Sequence, residues 1–231
     1  MEGIYFQKFP MWTIQHISPP LPTLKHQETA MLIDITEIDE MLTIEHLGNS
    51  LQSILKKLPE SLRAPLVGKI KLPSYNGTMI VKATNEGLLL GASDGSVMTN
   101  EKRNIGGHSY SLRHWNTDEN KLWGLVPTPY SITLSSLTTE LLYGLLATTL
   151  SLFMVTKAYH GQLCKDAIVI LTSDNEQAIK MASTYQSLIN ISKTLKLEYD
   201  IQELIHLLHQ EIPLQINYQW VQDIKTRMMQ G

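Results

Sequence analysis

The stretch GLLLGASDGSV, residues 87–97, decides the fold of this 231-residue chain. Its apolar residues fall on both faces of an extended segment and close on Asp-Gly-Ser, which predicts a central strand. The polar stretch MTNEKRN then predicts a turn, and IGGHSYSLRHW (105–115) a second strand. After the turn NTDEN, KLWGLVPTP (121–129) reads as a third strand. Turns this short imply an antiparallel meander.

The residues after the meander predict a helical crossover and a parallel strand. Ser135 or Ser136 can cap a helix that runs to about Tyr159, and AIVIL (167–171) is an apolar, β-branched run. The stretch NEQAIKMAS opens another helix, DIQELIHLLHQEI (200–212) is amphipathic, and PLQINYQWV reads as a last strand. We therefore predict an α/β fold, a mixed five-stranded sheet flanked by helices.

The N-terminal third has a different pattern. Residues 1–30 are proline-rich without an apolar period, so we expect them to be extended and to contribute little to stability. Residues 31–58 have helical spacing interrupted at Gly48, and a loose connector follows to about residue 85. The predicted organisation is an extended and helical connector over 1–85 and one domain over 86–231.

Composition limits the functional classes. The chain is 43% apolar and 18% charged, which is typical of a globular protein, and its net charge of −3 gives no basic surplus. Any nucleic-acid surface must then be a local patch or come from a partner. Cys164 is the single cysteine, which excludes disulfides and Cys-based zinc sites within one chain. We expect an intracellular protein, cytoplasmic or nuclear, with no signal peptide. The apolar run 141–156 predicts a buried helix and not a membrane span.

Three carboxylates occupy positions where they could converge. Asp94 closes the apolar run of the first strand, Asp174 follows the fourth strand, and Glu140 lies in the first turn of the crossover helix. A stripe of small residues on the face of Glu140 would let that helix approach the sheet closely, namely Gly144, Ala147, Thr148 and Ser151. Converging acids repel one another unless cations are present, and Mg²⁺ prefers such oxygen ligands.

The segments SDGS, SLTTEL and TSDNEQAI resemble, in order and spacing, the three signature segments of ribonuclease H. The tail YDIQELIHLLHQEIPLQINYQWV adds to this resemblance, and the run as a whole is similar to the ribonuclease H-like regions of retrotransposon reverse transcriptases. The resemblance implies a ribonuclease H-like fold and a metal-dependent endonuclease that cleaves the RNA strand of RNA–DNA hybrids. It implies Asp94, Glu140 and Asp174 as ligands of two Mg²⁺ ions, with Mn²⁺ as a substitute. The partners would be a hybrid or other nucleic acid and a reverse transcriptase domain, with no membrane.

The sequence departs from the family after its last strand. The family has a Gly-His loop and then a fourth carboxylate, whereas no histidine follows His209 and Asp223 is the only carboxylate after the last predicted strand. Asp223 would be the fourth catalytic ligand if the loop is shortened. The alternative is a catalytically inactive ribonuclease H-like module with a structural or nucleic-acid-binding role.

Several residues also have simpler interpretations. Asp174 or Asn175 could merely cap the following helix. We expect His206 and His209 to be solvated or partly buried, and His108 and His114 to lie at the surface. Aromatic residues that could stack on bases are better explained by packing; these are Tyr110, Trp115 and Trp123. A modest basic cluster could contact phosphate, or could be a solvated turn; it comprises Lys102, Arg103 and Arg113.

Overall fold

The structure, a computed structural model, describes residues 50–73, 77–100, 103–117, 120–128, 139, 144–184 and 197–222. The predictions made for residues 1–30, and for the segment before residue 50, lie outside these ranges. Six helices are found in the described residues: α1 (Leu51–Lys57), α2 (Glu60–Arg63), α3 (Thr78–Asn85), α4 (Leu146–Ala158), α5 (Glu176–Ser183) and α6 (Leu197–Glu211).

Within these ranges, six strands form one open, mixed sheet: β1 (Lys69–Lys71), β2 (Leu89–Asn100), β3 (Arg103–His114), β4 (Leu122–Thr128), β5 (Ile168–Ser173) and β6 (Gln215–Trp220). Their order is β1-β4-β3-β2-β5-β6. Strands β2, β3 and β4 form the predicted antiparallel meander, and β5 is parallel to both β2 and β6. The α/β fold class is confirmed, but the predicted count of five strands is one too few.

The additional strand is β1, which pairs antiparallel with β4 at the edge of the sheet. Lys69–Lys71 lie in the predicted loose connector, because three residues are too few to display an alternating pattern. Pairing with the edge of β4 satisfies the backbone hydrogen bonds that make these residues a strand.

The hairpin of β2 and β3 is longer than predicted. Its register runs from Leu89 opposite His114 to Asn100 opposite Arg103, so two residues connect the strands. Most of the polar stretch that predicted a turn therefore belongs to the strands themselves. Polar residues are compatible with a strand wherever a face of the sheet is not packed against the core.

Helix α4 lies at the centre of the fold. Twelve of its thirteen residues are buried, so it is enclosed on all sides, and it contacts β2, β3, α1 and α6. The interpretation of the apolar run as a buried helix is confirmed. Lys157 ends this buried stretch, with its ammonium 3.7 Å from a carboxylate oxygen of Glu211 on α6. Among the residues described, no helix is long and apolar enough to cross a membrane.

Gly91 on β2 is where α4 meets the sheet. A Cβ atom at this position would lie 2.9 Å from the Thr148 methyl group and 2.3 Å from a Leu171 methyl group. All four residues of the predicted small-residue stripe are buried. The close approach that the stripe predicted is confirmed at Thr148.

The segment before residue 86 contributes to the core. Ile54, Leu62, Leu66 and Ile80 are almost fully inaccessible and belong to the same apolar cluster as α4. Helix α1 begins at its N-cap Ser50, whose hydroxyl accepts a hydrogen bond from the Ser53 amide at 3.2 Å. Core residues therefore lie on both sides of the predicted boundary at residue 85, which itself stays a prediction.

Two side chains of β3 attach this segment to the sheet. The His108 Nε2 atom lies 2.8 Å from the Pro65 carbonyl oxygen, and the Tyr110 hydroxyl donates to the Leu66 carbonyl at 2.9 Å. Both side chains are buried. The prediction that His108 lies at the surface is wrong, because the segment that covers it is remote in sequence.

Candidate metal centre

Asp94 lies on β2, and Asp174 directly follows the neighbouring parallel strand β5. The register of β2 and β5 matches Leu90 with Ile170 and continues to Ala92 opposite Thr172. Each aspartate follows two residues after that last matched pair. Asp94 is half-buried within β2, which continues to Asn100, whereas Asp174 is exposed in the bend where β5 ends. The backbones that carry the two acids are therefore near one another at the carboxyl end of β5.

Asn175, and not Asp174, caps the following helix. Its side-chain oxygen accepts a hydrogen bond from the Ala178 amide at 3.0 Å, at the start of α5. The sequence left open which of the two residues is the cap. Because Asn175 fills that role, the simpler explanation for Asp174 no longer accounts for an acid at this position.

The bend at Asp174 is held by hydrogen bonds on both sides. The Trp220 indole nitrogen donates to the Asp174 carbonyl oxygen at 3.0 Å, and the Ser173 hydroxyl accepts from the Asn175 amide at 3.0 Å. The sequence predicted no role for Trp220, which was visible there only as an aromatic residue at the end of the last predicted strand. These bonds fix the backbone from which the Asp174 carboxylate projects.

A further hydrogen bond joins the two strands beside the acids. The Thr172 hydroxyl donates to the Gly91 carbonyl oxygen at 3.0 Å, and both Thr172 and the neighbouring Ser93 are buried. This bond joins β5 to β2 two or three residues before the acids.

Glu140 and Asp223 lie outside the described residues. Nearby, Thr139 is buried, and residues 144–145 form a π-helical turn that leads into α4. The ligand set of Asp94, Glu140, Asp174 and Asp223 therefore stays a prediction. In the part of the chain that the structure describes, no group of three or more His, Cys, Asp or Glu side chains could hold a metal ion.

The chemistry of the two described acids fits magnesium. Carboxylate oxygens are hard ligands of the kind that Mg²⁺ binds, usually through one or two protein carboxylates. Neighbouring strands are about 4.8 Å apart, so carboxylates at the same level are near enough to bridge one ion or to hold two. Asp94 and Asp174 would form the sheet side of such a centre.

The histidines of α6 have structural partners. The His209 Nε2 atom lies 2.7 Å from the Tyr218 hydroxyl, and His206 lies 3.1 Å from the Gln210 amide nitrogen. Burial lowers the pKa of His209 to about 4, assisted by repulsion from His206. Burial likewise raises the pKa of Tyr218. Both histidines are partly buried, as predicted.

The predicted basic cluster is not supported at Arg113. This arginine is buried, so it does not present a surface to phosphate. Lys102 and the side chain of Arg103 lie outside the described part of the chain. Its position in the sequence, near the end of a predicted strand, did not indicate burial.

The aromatic residues differ in exposure. Tyr110 is buried and packs as predicted, while Trp123 is half-buried beneath Lys69, whose ammonium lies 5.9 Å from the centre of the indole ring. Trp115 is 40% exposed and Trp220 is 44% exposed. The exposed ring of Trp220 is next to Asp174, so an aromatic face is present beside the candidate centre.

Comparison with known proteins gives structural matches alone. No protein-family model and no curated protein matches the chain. The N-terminal RNase H domain of a Mycobacterium tuberculosis protein, solved as a fusion with maltose-binding protein, is 12% identical, with a TM-score of 0.38 over 58% of this chain and 82% of that one. LC11-RNase H1 in complex with an RNA/DNA hybrid is 16% identical, with a TM-score of 0.38 over 57% of this chain and 85% of that one. RNase H1 from Halobacterium salinarum is 10% identical, with a TM-score of 0.33 over 61% of this chain and 89% of that one.

Proposed function

We propose that this chain is a metal-dependent endonuclease that cleaves the RNA strand of RNA–DNA hybrids, within a retroelement-type protein. The observation that carries the proposal is the placement of Asp94 and Asp174 at one level of two adjacent parallel strands, with the helix cap supplied by Asn175. The three sequence segments that resemble ribonuclease H add Glu140, and Asp223 is proposed as the fourth ligand.

In this proposal the acids act as a group of oxygen ligands. Two bound Mg²⁺ ions, or Mn²⁺ in their place, would supply Lewis acidity for hydrolysis of a phosphodiester. Asp94 and Asp174 would bind these ions from the sheet, and Glu140 would bind them from the crossover helix. The hydrogen bonds from Trp220 and Thr172 keep the two sheet acids fixed, so little reorganisation is needed when substrate binds. By the family resemblance, the products carry a 5′-phosphate and a 3′-hydroxyl.

The proposed partners follow from this chemistry. The substrate is an RNA–DNA hybrid, and a reverse transcriptase domain is the proposed protein partner. Because the net charge of the chain is −3, its nucleic-acid surface must be local.

A cleavage assay tests the proposal. A hybrid with a labelled RNA strand is incubated with the protein in millimolar Mg²⁺, beside the same RNA as a single strand. We expect wild type to cut only the hybrid, and Asp94→Asn and Asp174→Asn to lose roughly a hundredfold or more in rate, the scale of removing one electrostatic stabiliser from an active site.

Asp166→Asn is the matched control. Asp166 is an exposed acid with a φ of 64°, a conformation that asparagine tolerates well, so this variant removes the same charge away from the centre. Its rate should equal that of wild type. If wild type is stabilised by Mg²⁺ but cuts no hybrid, the inactive nucleic-acid-binding module replaces the enzyme as the conclusion.

A further inference from the structure

Strand β1 adds two exposed lysines to the sheet face that carries Asp94. Pairing is continuous across four strands: Asp94 is opposite Ser109, Ser109 is opposite Leu125, and Leu125 is opposite Lys69. Residues opposite one another in a sheet project from the same face. Asp94 and Lys69 therefore lie in one row on one face.

A second, parallel row ends at the other lysine. Ala92 is opposite Ser111, Ser111 is opposite Trp123, and Trp123 is opposite Lys71. Lys69 and Lys71 are both exposed, whereas Ile70 between them is half-buried on the other face. The two cations therefore lie side by side at the sheet edge remote from the acids.

In these two rows, the residues between Asp94 or Ala92 and the lysines are uncharged. Ser109 and Ser111 are small and half-buried, and Leu125 and Trp123 are half-buried as well. Three strand spacings of about 4.8 Å separate Asp94 from Lys69, which is roughly 14 Å. The major groove of B-DNA is about 12 Å wide, so this separation is on the scale of the distance between the two backbones that border a groove.

We propose that Lys69 and Lys71 bind phosphates of the second strand of a duplex whose first strand lies at Asp94 and Asp174. This inference rests on the proposed function and extends it, because it makes the sheet face a duplex-binding surface. The net charge of −3 required a local cationic patch, and the chain's additional edge strand supplies one.

The test measures binding without cleavage. Hybrid and single-stranded RNA of one sequence are titrated by fluorescence anisotropy at 50 to 300 mM salt, with both sheet acids changed, Asp94→Asn and Asp174→Asn, to prevent cutting. Into this background we introduce Lys69→Gln with Lys71→Gln. Each lost phosphate contact reduces the magnitude of the negative slope of log K against log salt by about 0.9, so the pair should reduce it by about 1.8. If the lines for the variant and the background meet at 1 M salt, the variant should bind the hybrid roughly 60-fold more weakly than the background at 0.1 M salt.

Two control variants distinguish a contact from a general effect of charge. Lys56→Gln with Lys57→Gln removes two exposed lysines from the end of α1, and the salt slope should not change. Lys69→Arg with Lys71→Arg keeps both charges and should keep the slope. Single-stranded RNA should bind the glutamine variant of β1 as it binds the background, because one backbone at the acids does not reach β1.

Each remaining outcome overturns the inference. Lysines on an edge strand also prevent pairing with other chains, and an unchanged salt slope in the Lys69 and Lys71 variant would leave them that role alone. An equal loss on single-stranded RNA would remove the duplex assignment. If wild type cuts the hybrid while the slope is unchanged, the inference fails and the proposed function stands. If wild type neither binds nor cuts any hybrid, the function fails and the inference fails with it.

Discussion

Replacing Asp174 by asparagine should raise stability without metal and reduce stabilisation by Mg²⁺. Asp94 lies at the same level on the neighbouring strand, so we take the two carboxylates to be about 5 Å apart. Repulsion between unit charges at that distance is about 3 kcal/mol at an effective dielectric constant of 20 and about 0.8 kcal/mol in water. Asp174 is exposed, so the screened value applies. Removing its charge should then add about 1 kcal/mol, or about 2–4 °C in melting temperature for a chain of this size.

The effect of metal has the opposite sign. An ion that binds only the folded state stabilises it by RT ln(1 + [L]/Kd), which is about 1.4 kcal/mol when free Mg²⁺ is ten times its Kd. Asp174→Asn removes a proposed ligand, so its Mg²⁺ increment should shrink well below that of wild type. The variant should therefore melt above wild type in EDTA and lose that advantage in Mg²⁺.

The assay is thermal unfolding followed by circular dichroism, with each protein in EDTA and in a series of Mg²⁺ concentrations. Asn175→Ala is the matched control, because it removes the observed helix cap and leaves the acids in place. It should lower stability by about 1 kcal/mol in both conditions and keep the full Mg²⁺ increment. Equal Mg²⁺ increments in wild type and Asp174→Asn would refute the assignment of Asp174 as a ligand.

Three further predictions concern the packing that supports the site. Burial lowers the pKa of His108 to about 4 from 6.5, so the unfolded chain binds the proton more readily and stability falls as pH drops through 6.5 towards 4. His108→Gln should flatten the pH dependence of the unfolding free energy in that window by up to about 1.4 kcal/mol per pH unit, and an unchanged slope would contradict a buried neutral imidazole. Tyr110→Phe should cost about 1–3 kcal/mol in urea unfolding, because the buried Leu66 carbonyl loses its donor; no loss would show that this bond contributes nothing. Gly91→Ala should cost about 1–3 kcal/mol through overpacking. Gly107→Ala should change stability by less than about 0.5 kcal/mol, since its added Cβ meets nothing nearer than 3.6 Å, and equal costs at the two glycines would reject the close approach.

The sequence predicted the large elements well because each has its own local pattern. The apolar run before Asp94 and the β-branched run before Asp174 were recognisable as strands, and the apolar run that contains α4 was recognisable as a buried helix. The order of these elements was enough to put Asp94 and Asp174 on adjacent parallel strands. Their roles as metal ligands, with Glu140 and Asp223, stay predictions.

By itself, the sequence determined the α/β class, the meander, the crossover and the candidate acids, because periodicity and order along the chain encode them. Only the tertiary structure decided which groups are covered or joined by residues distant in sequence. It buried His108 against the Pro65 carbonyl and attached the Trp220 indole to the bend at Asp174. It also turned Lys69–Lys71 into a strand through pairing with β4. These contacts join residues at least 43 positions apart, and no local pattern reports them because their free energy comes from burial and pairing in the folded chain.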